Sequence, residues 1–366
     1  MTRDKPRQDA TEKPETGIPI PYGVYFNLPF DEYLADPALS QSGIKRLLVS
    51  PLTYWADSSM NPDRDSGETP AKALGSALHK RILEGVARFD AEYDVAPDKA
   101  RYPDAVDGAD SLREMCREYG LKVSGTIPEM CCRILSHDPG AVLWPDIMNR
   151  FKASSEGKII LKPADAVLIN RIAAMVESDE TARNAFVGGF SEVSVFWPDA
   201  TTGVRMKARF DYLKSKAIVD LKTFSNTKSL PLDRAIAMYA ATYQLPVQAV
   251  VYLRAVTAAK AMILKGLVYG ESKDHPIIYA FLHNKSTQFF FVFVETGSAN
   301  NIIVREFRKL GDTGNETLLY QSGKKAVDES IAQYKALSER FGTAPWNVQH
   351  ETRPFNDEEF PPWVIG

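Results

Sequence analysis

The period of the hydrophobic pattern in this chain changes from 3.6 residues to 2 near residue 190. This change restricts the possible folds more than any other feature of the sequence. Apolar and polar residues alternate over residues 192–197, 204–213 and 217–223, which predicts three strands. Only short turns separate these segments, and antiparallel strands are the ones that a short turn can join. We therefore expect an antiparallel meander in the middle of the chain.

Helical patterns enclose this meander. Residues 165–176 carry apolar side chains on one helical face, and residues 232–241 and 246–258 predict two more helices. Residues 277–282 and 289–295 are short apolar runs, which we interpret as a further hairpin. The order of helix, three strands, helices and strand predicts an α/β fold with a mixed sheet and flanking helices.

Composition excludes several classes of protein. The 366 residues are 44% hydrophobic and 25% charged, which is typical of a globular chain rather than a disordered or collagen-like one. The net charge is -3, which excludes a polycation that binds nucleic acid by bulk charge. It does not exclude a local basic groove or a site where carboxylates hold a divalent cation.

The sequence also indicates the cellular compartment of the protein. No stretch reaches the roughly 18 consecutive apolar residues of a membrane span, and the N-terminal residues are polar, without the apolar core of a secretory signal. Cys116, Cys131 and Cys132 cannot all pair and lack zinc-ligand spacing, so we interpret them as small core residues. We expect a cytoplasmic protein without membrane contact.

Three charged residues form the sharpest local signal. Asp211 lies near the end of one predicted strand, while Asp220 and Lys222 lie two residues apart on the next and so face the same side. Two carboxylates at a strand end suit Mg²⁺ or Mn²⁺, and a lysine beside them can help to deprotonate or orient a water. The alternative is a surface Asp–Lys pair, but the apolar neighbours Val219 and Leu221 indicate a strand buried on its other face.

Four further residues are candidates for the same site. Glu192 opens the first strand of the meander, where its alternative is an exposed edge carboxylate. His79 lies on a helix whose core face other residues supply, and a lone histidine there is more often structural or solvated. Gln248 and Tyr252 are four apart and share a helical face, for which simple packing is a serious competitor.

Two basic residues precede Asp211 in two-residue steps. A regular strand places Lys207, Arg209 and Asp211 on one face. Lys207 and Arg209 could therefore contact a phosphate group beside the site, or they could merely solvate the sheet.

These residues resemble those of the RecE-type exonucleases (exodeoxyribonuclease VIII), a family of the PD-(D/E)XK superfamily with a restriction-endonuclease-like core. That core is helix, three strands, helix and strand. The resemblance rests on ordered segments spread over residues 33–252. The segments are residues 33–40, 51–54, 74–79, 89–97, 191–197, 207–211, 219–223 and 247–252.

The resemblance implies a role for each matching residue. Asp211 and Asp220 would be metal ligands, with help from the Leu221 carbonyl, and Lys222 would act on the attacking water. His79 would be a ligand or lie just behind one. Glu192 would support the metal site, and Gln248 with Tyr252 would position the DNA strand.

The resemblance also implies an activity. Members of the family degrade linear double-stranded DNA from its 5′ ends with Mg²⁺ and without ATP. They leave 3′ single strands for a RecT-like annealing protein in phage or prophage recombination, and they assemble as rings. The alternatives are a structure-specific endonuclease or nickase with the same core, and a DNA-binding recombination accessory without hydrolytic activity.

A helical pair within residues 111–135 resembles a SAP motif, a helix–loop–helix that often holds DNA. Arg113, Arg117 and Lys122 would contact phosphate. Ile127 departs from the motif, which often has lysine there, and nearby glutamates nearly cancel the basic charge. A packing or oligomer-contact insert is therefore an equal alternative. Its expected small core is Leu112, Met115, Leu121, Val123, Met130, Ile134 and Leu135.

These patterns divide the chain into five expected parts. They are a disordered arm (residues 1–20), an N-terminal part of the nuclease domain (21–106), the SAP-like insert (107–140), the nuclease core (150–345) and a C-terminal tail (346–366).

Overall fold

The computed structural model describes residues 19–64, 67, 69–297, 299–349 and 352–359. The expected arm at residues 1–20 therefore lies outside the described residues except for its last two. The helices are α1 (Phe30–Ala35), α2 (Gln41–Val49), α3 (Pro51–Ala56), α4 (Pro70–His79), α5 (Gly85–Glu92), α6 (Ala109–Glu118), α7 (Ile127–His137), α8 (Trp144–Ser154), α9 (Pro163–Ser178), α10 (Glu180–Ala185), α11 (Leu232–Thr242), α12 (Leu245–Leu264), α13 (Pro276–His283) and α14 (Leu318–Phe341). The strands are β1 (Gly23–Tyr25), β2 (Tyr93–Val95), β3 (Ile159–Leu161), β4 (Gly189–Pro198), β5 (Arg205–Lys214), β6 (Ala217–Phe224), β7 (Val268–Tyr269), β8 (Gln288–Glu295) and β9 (Ile302–Glu306).

Seven strands form one mixed sheet in the order β7-β1-β4-β5-β6-β8-β9. β4, β5 and β6 are consecutive and antiparallel, so the expected meander is present. β8 lies parallel to β6, because α11, α12 and α13 carry the chain back to the starting edge of the sheet. The α/β fold with a mixed sheet and flanking helices is confirmed.

One expected strand is a helix. Residues 277–282 belong to α13 rather than to a hairpin with β8. His275 caps the helix by accepting a hydrogen bond from the Ile277 N–H, and Pro276 suits its first turn. Ile278 and Phe281 lie three apart and are both buried, which is helical spacing. A short apolar run fits either structure, and here the cap and proline decide.

Helices cover both faces of the sheet. On one face α4 and α9 pack Leu78, Ile169 and Ile172 against β6 and β8. On the other face α12 packs against the sheet and is covered by α2 and α14. α12 is long and apolar enough to cross a membrane by length and composition, but 61% of its most apolar stretch is buried inside the protein. Its apolar character therefore follows from its place in the core.

The helical pair α6 and α7 has its own small core, as the pattern predicts, with two differences. Leu112, Met130 and Ile134 are buried there together with Cys116 and Cys131. Val123 is exposed because it lies in the loop between the helices. Cys132 is also exposed, since it follows Cys131 on α7 and adjacent helical positions face different directions.

The C-terminal segment begins inside the core. Trp346 is fully buried and its ring packs against Tyr54 of α3 and Tyr334 of α14. Aromatic contacts of this kind stabilise beyond the area that they bury. The first residue of the expected tail is therefore part of the folded domain.

Candidate metal centre

The two aspartates lie where β5 and β6 separate. Tyr212 and Val219 form the last pair of the ladder on this side, so Asp211 and Asp220 stand just beyond it. The Leu221 N–H, which has no ladder partner on β5, donates to Asp211 Oδ2 at 2.8 Å. The strands therefore open at the position where the sequence predicts the two carboxylates to meet.

A second carboxylate and an imidazole join Asp211. Potential ligand atoms of His79, Glu192 and Asp211 all lie within 4.8 Å of one another. His79 ends α4, and its Nδ1 is 3.6 Å from Asp211 Oδ2. Glu192 and Asp211 both lie between the Ser191–Tyr212 and Val193–Phe210 pairs of the β4–β5 ladder, where the register is interrupted. Glu192 has a φ of 56°, a rare conformation for a residue other than glycine that is found often at functional sites.

The electrostatics of this cluster favour a cation. Burial and the neighbouring Asp220 raise the pKa of Asp211 well above its usual range, and burial also raises the pKa of Glu192. Burial and Lys222 lower the pKa of His79 to about 4, so its imidazole is neutral at pH 7 and can act as a ligand. Two carboxylates with a neutral imidazole suit a divalent metal ion, which would also relieve the carboxylate repulsion.

Lys222 and Asp220 form an ion pair behind this cluster. They share a face of β6, as the two-residue spacing predicts, and Asp220 is only 1% exposed. Burial acts to lower the pKa of Lys222, but the carboxylates of Asp220 and Asp211 outweigh it and the pKa is raised. The ammonium group is therefore charged, which favours orienting a water over deprotonating it.

Gln248 lies under the site, and Tyr252 borders the cleft that opens over it. Gln248 Nε2 donates to Asp220 Oδ1 at 2.6 Å, and both residues are almost fully buried. Tyr252 is also buried, with its ring edge-on against Phe210. The expectation that this pair positions DNA is corrected for Gln248, whose amide instead holds the Asp220 carboxylate from α12. For Tyr252 that role stays a prediction.

Lys207 differs from its interpretation as a phosphate contact, while for Arg209 that contact stays a prediction, because both residues border the cleft but are already engaged within the protein. They share a face of β5, but α1 covers that face. The Lys207 ammonium is buried and donates to the carbonyls of Tyr33 and Asp36 at 2.7 and 2.6 Å. Arg209 pairs with Glu192 and donates to the Leu28 carbonyl at 2.9 Å. Both side chains therefore hold the structure, and Arg209 positions Glu192.

The basic residues of the helical insert take no part in the cluster described above. Arg113 forms an ion pair with Asp110 at 2.7 Å, while Arg117 and Lys122 are exposed. None of the three lines the cleft around the metal centre. Their contact with DNA stays a prediction.

A second lysine, Lys45, reaches the site from α2. Its Nζ lies 3.4 Å from Gln248 Oε1. Burial lowers its pKa to about 7, and Lys222 acts in the same direction while Asp220 opposes them. Sequence reasoning missed Lys45, because a lone lysine on an amphipathic helix resembles any solvated one.

The stability of the protein should reveal this buried lysine. Between pH 7 and 10.5 the unfolded chain holds a proton on Lys45 that the folded chain has released, so rising pH favours the folded state. We expect the wild-type free energy of unfolding to rise with pH across this window relative to Lys45→Met. Urea unfolding at several pH values measures it, with the exposed Lys325→Met as control. A difference that does not change with pH would contradict the assignment.

A cleft of about 1620 Å³ opens over His79, Glu192 and Asp211. After His79 the chain continues as a π-helical turn, Lys80–Glu84, a feature found frequently at functional sites. The Lys80 ammonium contacts Glu84 at 3.0 Å and Glu92 at 2.7 Å, which ties the turn to α5 at the rim of the cleft.

Three comparisons with known proteins bear on this arrangement. A family model described as a PDDEXK-like domain of unknown function (DUF3799) matches residues 40–340. A search of curated proteins finds no match. A solved structure from Eubacterium rectale, named "Putative exonuclease", is 13% identical, with a TM-score of 0.45 over 91% of this chain and 98% of that one. Another, the crystal structure of SSO0001, is 12% identical, with a TM-score of 0.24 over 74% of this chain and 88% of that one. Both TM-scores are low, and neither likeness carries an argument about this chain.

Proposed function

This chain belongs to the family of PDDEXK-like domains described as DUF3799, and on that premise we propose that it is a divalent-metal-dependent nuclease that degrades linear double-stranded DNA. One observation carries the proposal. His79, Glu192 and Asp211 converge in a cleft, with the Asp220–Lys222 pair directly beside them. Hydrolysis of a phosphodiester needs a placed water and stabilisation of negative charge, and this set of residues can supply both.

Each residue of the site would have its own role in metal binding or hydrolysis. Asp211, Glu192 and His79 would hold Mg²⁺, for which Mn²⁺ would substitute, and Asp220 with the Leu221 carbonyl would complete the ligands. A bound divalent ion supplies a Lewis acid at the scissile phosphate. The Lys222 ammonium is close enough to act on the pKa of both Asp211 and His79, and it would orient the attacking water while it offsets the charge that develops on phosphate. Gln248 and Arg209 would act indirectly, since they position Asp220 and Glu192.

The finer assignment follows the RecE-type pattern described above. It includes attack at DNA ends, 5′ to 3′ polarity, and 3′ single strands as products for an annealing protein. It also includes a ring-shaped homo-oligomer and a phage or prophage origin, with action in the bacterial cytoplasm. The support for these details is the ordered set of motifs between residues 33 and 252, which includes the aspartates and the lysine.

The test compares two DNA substrates. Purified protein with Mg²⁺ is incubated with linear duplex labelled at either end and with covalently closed circular duplex. We expect loss of the linear form from its 5′ ends only, and no nicking of the circle. Nicked circles would indicate an endonuclease instead. Binding without cleavage of either substrate would indicate an accessory protein and would contradict the proposal.

A further inference from the structure

Two tyrosine rings, those of Tyr239 and Tyr243, line one wall of the cleft, and we call this pair the aromatic step. Met238, Tyr239 and Tyr243 belong to α11 and its C-terminal end, and all three border the cleft over the metal centre. Tyr239 and Tyr243 are four residues apart and so share one helical face. Their ring centroids are 4.4 Å apart at an interplanar angle of 40°. At this distance the rings overlap, so Tyr243 is stacked at a tilt on Tyr239.

The inner end of this step is rigid and adjoins the site. The Tyr239 ring packs edge-on against the buried rings of Phe224 on β6 and Phe293 on β8, at 6.3 and 5.9 Å. Burial raises the pKa of Tyr239, and the nearby Lys222 ammonium opposes that rise. Tyr239 is therefore anchored on the core of the sheet.

The outer end of the step is open. Tyr243 is 55% exposed and Met238 is 44% exposed. Single exposed apolar residues are ordinary on protein surfaces, but these two continue an anchored aromatic surface into a cleft. The outer face of an aromatic ring that is held in place is suited to stacking against another ring. Tyr243 has little freedom to lose on such stacking, because Tyr239 already supports it.

Positively charged side chains in the same cleft indicate which kind of ligand ring would stack on the aromatic step. Lys72 and Lys228 also line it and are exposed, and neither forms an ion pair within the described part of the chain. Aromatic side chains beside free cationic groups are what single-stranded nucleic acid requires, since its bases stack and its phosphates are charged. Inside a duplex both faces of each base are already stacked, so unpaired bases are the ones with most to gain from such a surface.

We propose that Tyr239 and Tyr243 form a stacking platform for unpaired bases of the DNA strand that leads to the metal centre. The platform rests on the proposed nuclease function, and it adds that a strand end is unpaired before it is cut. Stacking tolerates every base, so the platform would leave cleavage largely independent of sequence. Lys72 and Lys228 would contact the backbone of the same strand.

The test measures stacking directly. A single-stranded oligonucleotide containing the fluorescent base 2-aminopurine is titrated with protein in Ca²⁺, and a gel verifies that the strand stays intact. Stacking of the base on Tyr243 quenches its fluorescence. We expect Tyr243→Ala to weaken binding about tenfold and to abolish the quenching, as stacking of one base on an aromatic ring is worth that much. Tyr243→Phe keeps the ring and should bind as the wild type does.

The control is Tyr279→Ala, because Tyr279 is equally exposed at 59% but lies on α13 outside the cleft lining. It should change neither affinity nor quenching. If Tyr243→Ala matches the wild type in both while linear duplex is still cleaved, the platform is wrong and the nuclease function stands.

Three other outcomes separate the hypotheses. Quenched binding that depends on Tyr243, without cleavage in Mg²⁺, would support the platform and overturn the nuclease function. Absence of both binding and cleavage would overturn both. If Tyr243→Ala changes only the association of protein copies in sedimentation, the step is a protein contact and the platform is overturned.

Discussion

Replacing Lys222 by Met is expected to lower the rate of DNA cleavage about a thousandfold, the size of effect seen when a donor to the transition-state charge is removed. The Lys222 ammonium is the cationic group that directly contacts Asp220, and the carboxylates around it keep it charged. Methionine matches its length but offers neither charge nor hydrogen bond. The measurement is the single-turnover rate on linear duplex in Mg²⁺.

Two variants make this result interpretable. Lys222→Met leaves Asp220 buried without its cation, which costs stability, so Lys222→Arg serves as the variant that keeps the ion pair. Lys325→Met removes an exposed lysine of α14 and should cleave at the wild-type rate. If folded Lys222→Met cleaves within a few-fold of the wild type, Lys222 has no part in the chemistry.

The second large effect is the loss of metal affinity in Asp211→Asn. We expect Mn²⁺ to bind at least about a hundredfold more weakly, since loss of a mere outer-shell partner already costs ten- to hundredfold. Asparagine keeps the oxygen that accepts the Leu221 N–H, so the change removes charge rather than structure. Calorimetric titration of Mn²⁺ measures the affinity.

The same substitution should have the opposite effect on stability when metal is absent. The raised pKa of Asp211 shows that the folded protein holds its ionised form at a cost. A group with a raised folded pKa loses stabilising effect as pH rises through that pKa, and asparagine has no such loss. Without metal, Asp211→Asn should therefore be more stable than the wild type, by a difference that grows with pH up to the raised pKa of Asp211 and is constant above it.

The control for both measurements is Asp312→Asn, because Asp312 is 95% exposed. It should change neither metal affinity nor the free energy of unfolding beyond a few tenths of a kcal/mol. If the Asp211→Asn variant binds Mn²⁺ as tightly as the wild type, Asp211 is not a metal ligand.

The centre of the site was predictable because it depends on local rules. A two-residue period determines that Asp220 and Lys222 share a face, and a two-residue turn between β5 and β6 brings Asp211 back beside them. The antiparallel meander follows from the same short turns. These relations involve residues close in sequence, where strand geometry leaves few alternatives.

The surroundings of the site depend on packing between distant segments, and here the sequence was less informative. Strand periodicity places Lys207 on the face of Asp211, but it cannot show that α1 covers that face. The contact between Lys45 and Gln248 joins residues 203 positions apart. α13 illustrates a different limit, because a six-residue apolar run fits a strand or a buried helix equally well.

The central claim is that His79, Glu192 and Asp211 bind one divalent cation beside the Asp220–Lys222 pair. The most direct measurement is anomalous diffraction from crystals grown with Mn²⁺. The account predicts one strong peak in the cleft, with oxygen of Asp211 and nitrogen of His79 within about 2.5 Å of it. A Mn²⁺ peak only at surface carboxylates, with none among these three side chains, would contradict it.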